Sequence, residues 1–180
     1  MARLLTVGHG TLARDALVEL LAGAGVTTVV DVRRYPGSRR HPQFASDTMA
    51  EWLPPHGIAY RWEERLGGRR RLEASEAAAD PWWQVEAFRA YAAHTRTPEF
   101  RAGMEALLAV VRRQGTTTVM CSESLWWRCH RRLVADVAVL LHDLEVWHLS
   151  HAGKLSPHAV SAGARVAADG LRYDLGDGDS

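Results

Sequence analysis

The sequence predicts an α/β fold, a single three-layer domain with a mostly parallel sheet of about five strands flanked by helices. β-Branched and apolar runs recur at Arg3–Gly8, 26–32 and Thr116–Cys121. Stretches with apolar residues at helical spacing separate them. A chain of 180 residues, 47% of them hydrophobic, is long enough for one well-buried core and too short for two comfortable domains.

In chain order, RLLTVG at Arg3–Gly8 is a short apolar strand, and GHGT (8–11) is a turn whose Thr11 caps a helix over LARDALVELLAGAG, ended by glycine. VTTVVDV (26–32) is continuous and β-branched, as suits a strand buried on both faces. The chain therefore opens β-α-β, and a parallel sheet follows. RRYPGSRRHPQF is a loop rich in turn residues and arginine. Residues 46–56 read as a helix stopped by Pro54 and Pro55, 57–62 as a strand, and the polar, Gly- and Ala-rich 66–80 as irregular. Helices over 83–94 and 98–113, the second opened by Pro98, lead to the strand Thr116–Cys121. A helix over 126–142 and a strand over 144–149 follow. Beyond Ser150 the composition turns to Ala, Gly, Ser and Asp. Residues 1–150 are expected to form the domain and 151–180 a weakly packed extension or tail.

Two cysteines give no disulfide framework, the first ten residues hold no apolar signal core, and no run approaches the roughly 18 apolar residues of a membrane span. A soluble, cytoplasmic protein with no membrane partner is expected. The net charge of +1 argues against a general polyanion binder, but the charge is uneven. Residues 31–71 carry nine Arg against five acids, leaving −3 for the rest of the chain. Only Lys154 among the 22 basic residues is a lysine, a bias that a GC-rich genome explains, although codon usage does not explain the clustering.

The segment MCSESLWWRCHRRLVA (120–135) is the most informative. Cys121 ends a strand, Glu123 follows, and Cys129, His130 and two Arg open an amphipathic helix. Parallel sheets bind ligands at the carboxyl ends of their strands, where helix N-termini favour negative charge, so a Cys121 thiolate is well placed. Both cysteines are equally explicable as small buried residues, Cys129 more so because it shares a helical stripe with Leu133, Val137 and Leu140. His9 after the first strand and Asp31, Arg33 and Arg34 after the second lie on the same edge of the sheet, and form one pocket with Cys121 if the strands are neighbours. Arg33, Arg34, Arg39 and Arg40 offer guanidinium forks for carboxylate or phosphate, with Ser38 adding a hydroxyl, unless they are solvated surface charges. Asp31 orients one of them or acts as a base. Gly67-Gly68 followed by three Arg is a flexible basic element, suited to a phosphate or merely exposed. His130 is the nearer base for Cys121 and His9 its competitor.

Zinc bound by Cys121, Cys129, His130 and His9 lacks the usual short C-x2-C knuckle, and a redox pair requires Cys121 and Cys129 to converge within disulfide geometry, which disfavours it. A phosphatase or rhodanese cradle needs Arg one residue nearer to Cys121 than Arg128 stands. Neither a Walker loop nor G-x-G-x-x-G occurs, so no cofactor is expected. Of the seven Trp, Trp82-Trp83 and Trp126-Trp127 are paired, and one of each pair belongs at a surface or pocket rim, where it can stack a base.

VGHGT, VVDVRRYPGSR, GIAYRWEERLGG, VMCSE with CHR, and VWHLSHAGKLSPH, in that order, resemble the domain of unknown function 488 family over residues 4–158. The resemblance implies a small α/β protein without an established activity. It carries motif positions onto His9, Asp31, Arg33, Pro36, Ser38, Arg39 and Tyr60, then Leu66, Gly67 and Gly68, and finally Cys121, Glu123, Cys129, His130 and Arg131. Gly10 departs from a more usual Ser, and Trp126-Trp127 from smaller or polar residues. The expected function is an enzyme acting on an anionic substrate: a nucleotide, a phosphorylated metabolite or a nucleic-acid end. In it Cys121 is the nucleophile, His130 or His9 the base and Glu123 an orienting or acid group, with Arg33 and Arg39 on the anion. The alternatives are a nucleic-acid-binding module using the Arg-rich loops and a structural zinc domain.

Overall fold

The computed structural model describes residues 2–37, 39–113 and 115–176. Five strands are parallel: β1 (Arg3–Gly8), β2 (Val26–Asp31), β3 (Ala59–Trp62), β4 (Thr116–Cys121) and β5 (Glu145–Leu149). A short β6 (Leu155–Pro157) runs antiparallel along β5, giving the order β3-β2-β4-β1-β5-β6. Helices α1 (Arg14–Gly23) and α2 (Ser46–Trp52) cover one face, and α3 (Glu86–His94), α4 (Pro98–Val111) and α5 (Arg131–His142) the other. The protein is a three-layer α/β domain.

Alternation along the strands sorts the core. Leu4, Val30, Val119 and Cys121 face α3, α4 and α5, packing with Tyr91, Phe100, Met104 and Leu133. Leu5, Val7, Val29 and Met120 face α1 and α2, packing with Leu17, Leu21, Phe44 and Met49. Both clusters are apolar because central strands of a parallel sheet are covered on both sides.

Several element ends differ from the sequence reading. Thr11 caps nothing; the helix begins later, with Ala13 as an N-cap that makes no side-chain bond. The 46–56 helix stops at Trp52, and Pro54–His56 is a separate 3-10 turn closed by Gly57 in the left-handed region. The expected 126–142 helix is two pieces, a 3-10 turn at Trp126–Arg128 and α5, joined through Cys129 in extended conformation.

The tail is the largest difference, because after β6 a hairpin of β7 (Ala164–Ala167) and β8 (Gly170–Tyr173) closes over the α5 face. Leu171 and Tyr173, alternating with Arg172, are fully buried in that core. Its anchor is ionic: Arg96 forks onto Asp80 at 3.1 and 2.8 Å and donates to the Leu171 carbonyl at 2.9 Å, while Asp80 also accepts from the Tyr173 amide at 2.9 Å. Removing one partner of a buried pair strands the other charge.

Arg96→Ala is therefore expected to lower unfolding free energy by about 3–5 kcal/mol in urea denaturation. Arg165→Ala, which breaks the exposed pair with Asp174, leaves the midpoint where it is.

Candidate active site

The strand order brings the three polar turns together, since β4 lies between β1 and β2. Backbone bonds zip their ends: His9 N–H donates to Cys121 O, Gly10 N–H to Ser122 O and Val32 N–H to Met120 O, each at 2.9 Å. The approach is close enough that a Cβ on Gly8 would sit 1.8 Å from the Glu123 carbonyl, so only glycine fits. Similarly, a Cβ on Gly67 would sit 2.5 Å from the Arg34 backbone, and one on Gly68 would sit 3.0 Å from His130 Nδ1. These two glycines thus serve packing, letting the 67–70 segment lie against the second strand's exit and against the imidazole.

Asp31 and Arg33 are a structural clamp. The Arg33 fork fills both Asp31 oxygens, through Nε at 2.9 Å and an Nη at 2.7 Å, and Tyr60 donates its hydroxyl to the same carboxylate at 2.5 Å. Arg33 also donates to Phe44 O at 2.6 Å and faces His9 Nε2 at 3.3 Å. With these engagements Asp31 orients rather than acts as a base, and only one edge of Arg33 reaches the clefts. His9 Nδ1 donates to Gly10 O at 2.9 Å, leaving Nε2 to accept from Arg33. Burial, then the Arg33 charge, lowers the His9 pKa to about 4 against the effect of the Gly10 bond. His9 is therefore neutral and occupied, and is not a base for Cys121.

The two cysteines meet. Their Sγ atoms are 2.8 Å apart, a convergence the spacing alone argued against. Cys121 is 2% exposed and Cys129 7%. His130 turns to Cys129, not to Cys121: its Nε2 donates to Val32 O at 2.7 Å, so Nδ1, 3.6 Å from Cys129 Sγ, is the ring nitrogen that faces the sulfur. Burial is the largest influence on both thiols. In Cys121 it acts together with the neighbouring sulfur to push the pKa well up. In Cys129 it is outweighed by the Cys121 hydrogen bond and by the charges of His130 and Arg131, and the pKa falls well below the ordinary thiol value. The pair gives up one proton readily and holds the other, with the charge on Cys129.

Arg131 lies behind them, 1% exposed. It donates to the Glu123 and Ser124 carbonyls and, at 3.1 Å, to Thr6 Oγ1, so it braces the loop rather than meeting a ligand. From Thr6 a chain of bonds continues to His148 Nδ1 (2.6 Å), from His148 Nε2 to His158 Nδ1 (2.9 Å) and from His158 Nε2 to Asp136 (2.7 Å). Since Arg131 only donates and Asp136 only accepts, every proton in this chain points towards Asp136. Trp126 stacks flat on His148 at 4.1 Å. Burial, followed by the charges of His158 and Arg131, lowers His148 to about 3. The sequence reading missed this network; its only signal was the first and last of the three histidines, His148 and His158, of the closing HLSHAGKLSPH motif.

Two adjoining clefts open at this edge. One, of about 520 Å³, holds Cys121, Cys129 and His130 on its floor, with Phe88, Tyr91 and Trp127 as apolar walls and Arg34, Arg69 and Arg128 as cationic ones. The other, of about 690 Å³, is polar, with Arg39, Arg40, His41 and His151. Arg33, Tyr35, Arg69, Ser122 and Glu123 border both. Glu123 is exposed, and its carboxylate accepts from the Leu125 amide at 3.1 Å. Arg69 enters the clefts from a left-handed backbone, φ 55°, while Arg70 ties the same segment to Glu64 O and Gly67 O. Ser38 lies outside the described residues. Among the described residues no three His, Cys, Asp or Glu side chains converge as metal ligands would, and no helix is long and apolar enough to cross a membrane.

Alkylation by iodoacetamide followed by peptide mass should label Cys129 well below pH 8.5 while Cys121 stays inert until unfolding. A second expectation concerns acid. His9, His94 and His148 take up protons near pH 6.5 when unfolded but only near 4, 4 and 3 when folded. Their contribution to stability is thus complete above pH 6.5 and lost as the pH falls towards 4, so Tm should drop through that window.

The sequence pattern of the family described as domain of unknown function DUF488 matches residues 13–138. No curated protein and no solved structure matches the chain. With about two thirds of its length covered, including the Asp31–Arg33 clamp and both cysteines, the chain belongs to the DUF488 family.

Proposed function

We propose that the protein is a thiol-dependent enzyme acting on an anionic substrate with a planar, apolar part, of the nucleotide or nucleic-acid-end class. One observation carries this reading: Cys129 and His130, the imidazole bonded in turn to the buried Val32 carbonyl, line a cleft that also presents aromatic side chains and arginines. Nucleophile, base and orienting group in sequence are the general signature of covalent catalysis.

His130 takes the Cys129 proton on Nδ1, its tautomer fixed by Val32. The thiolate is held by the Arg131 backbone N–H at 3.5 Å, by the Cys121 thiol and by the N-terminal end of α5. It attacks an electrophilic centre of the substrate, and the imidazolium returns the proton to the leaving group. Glu123, at the rim shared by both clefts, is positioned to activate the water that releases the product. Tyr35, Phe88 and Trp127 offer stacking faces to a base, and Arg34, Arg69 and Arg128 offer donors to phosphate or carboxylate. In this assignment the nucleophile passes from Cys121, which the strand end pointed to, to Cys129, and Arg69 joins Arg39 as an anion ligand in place of the paired Arg33.

A binding-only reading is favoured by one feature, the second cleft with its exposed Arg39 and Arg40 beside the first. The two separate cleanly in a panel of nucleoside monophosphates and 5′-phosphorylated single-stranded oligonucleotides. For the enzyme, the native chain should convert a member of the panel or carry its fragment as a mass adduct on Cys129. Cys129→Ala should abolish both with affinity kept within about threefold, and Arg69→Ala should weaken binding about tenfold, or 1.4 kcal/mol. Steeply salt-dependent binding with neither conversion nor adduct in the native chain would replace the enzyme by the binding module.

A further inference from the structure

Two sulfurs 2.8 Å apart are closer than packing of apolar atoms requires, about 3.5–4.0 Å for carbons. They are short of a disulfide, about 2.05 Å, by less than 1 Å. Cys121 is the last residue of β4, and Cys129 stands in extended conformation, φ −131° and ψ 155°, between a 3-10 turn and α5, so neither thiol is held inside a helix. Both thiols line the same open cleft, Cys129 the more exposed of the two, so a small solute meets Cys129 first without unfolding. Their environments are unlike. Cys129 has His130 Nδ1 at 3.6 Å and a backbone N–H at 3.5 Å, whereas Cys121 is the deeper and, besides its partner sulfur and the charge of Arg131 that both thiols feel, faces the Glu123 carbonyl at 3.5 Å. One thiol is equipped to react with an electrophile from the cleft, and the other to react with the first.

We infer that Cys129 and Cys121 form a hydroperoxide-reactive dithiol, Cys129 being oxidised first and Cys121 resolving it to an intramolecular disulfide. The Cys129 thiolate attacks the terminal oxygen of ROOH. The O–O bond breaks, Cys129 becomes a sulfenic acid, and the departing alkoxide takes the proton that His130 held and leaves as ROH. Cys121 sulfur then attacks Cys129 sulfur: the S–S bond forms, the S–O bond breaks, and hydroxide leaves with the Cys121 proton as water. Two electrons have passed from the dithiol to the peroxide. An added dithiol reverses the step by exchange, being itself oxidised to its disulfide. In the oxidised chain Cys129 is no longer a nucleophile, so the same pair switches the cleft off. The inference rests on the thiol pair, and it stands whether or not the cleft turns over a nucleotide.

The test is intact and peptide mass spectrometry of the reduced full-length chain after equimolar hydrogen peroxide. The expected result is a loss of about 2 Da, a Cys121–Cys129 cross-linked peptide, and full recovery with dithiothreitol. Cys121→Ser should form no cross-link and should accumulate a dimedone adduct on Cys129; Cys129→Ser should leave Cys121 unmodified. The cross-link measured in the native chain decides the matter even where a variant folds poorly. Native protein that keeps both thiols, that carries only sulfinic acid on Cys129, or that cross-links solely between molecules overturns the inference. A disulfide in a chain that fails the nucleotide panel would leave the dithiol standing and remove only the enzyme reading.

Discussion

The guanidinium of Arg131 is buried beneath the carboxyl ends of the central strands, and the arrangement of the site follows from satisfying it. A charge of that kind is tolerated in a core only when its donors are bonded and a counter-charge is near. Among the described residues no carboxylate is within ion-pair distance of it. Two carbonyls of the 122–125 loop take one side of the fork and Thr6 the other, while the buried Nε is left without a hydrogen-bond partner. The nearest negative charge is the one the cysteine pair can carry. The arginine and a charge on the cysteine pair therefore favour each other, adding to the larger effects of the Cys121 hydrogen bond and of His130 that lower the Cys129 pKa. Asp136 supplies a more distant counter-charge through His158, His148 and Thr6, each link oriented by the one before it.

Topology does the rest. Inserting β4 between β1 and β2 places the cysteine-bearing loop between two loops that are already tied down, one by the Asp31–Arg33–Tyr60 clamp and the other by backbone bonds from His9 and Gly10. This is the crevice at which parallel sheets bind ligands. The clamp is made of an ion pair and contributes rigidity more than affinity; the mobile cations are those with no buried partner, Arg39, Arg69 and Arg128 among them.

Much of this architecture was legible in the chain. The parallel strands announced themselves as β-branched runs, and the edge of the sheet carrying the polar residues followed from their direction alone. What stayed hidden has specific physical causes. The stripe joining Cys129 to Leu133 and Val137 does pack into one buried cluster, but Cys129 stands before the helix, because the chain passes through a 3-10 turn, with Trp126 stacked on His148, before α5 begins. Cys129 thus belongs both to the core cluster and to the lining of the cleft. β8 was hidden because two buried residues alternating over four positions are too short a signal against a background of Gly, Ala and Asp. His158 reaches Asp136 only because β6 doubles back on β5, a pairing with no local signature.

The bonds that hold the site together end to a large extent on main-chain oxygens. His130 is oriented by the carbonyl of residue 32, Arg131 by those of residues 123 and 124, and Arg33 by that of residue 44. Peptide carbonyls survive any side-chain replacement, so the identities of Val32, Ser124 and Phe44 are free to drift as far as these bonds are concerned. The positions with no such latitude are the ones with no side chain at all, Gly8 and Gly67, where adding a single carbon would drive apart the loops that the carbonyls tie. In this protein the geometry of the site is written into the main chain, and its tightest sequence constraints fall on residues that contribute no side chain to it.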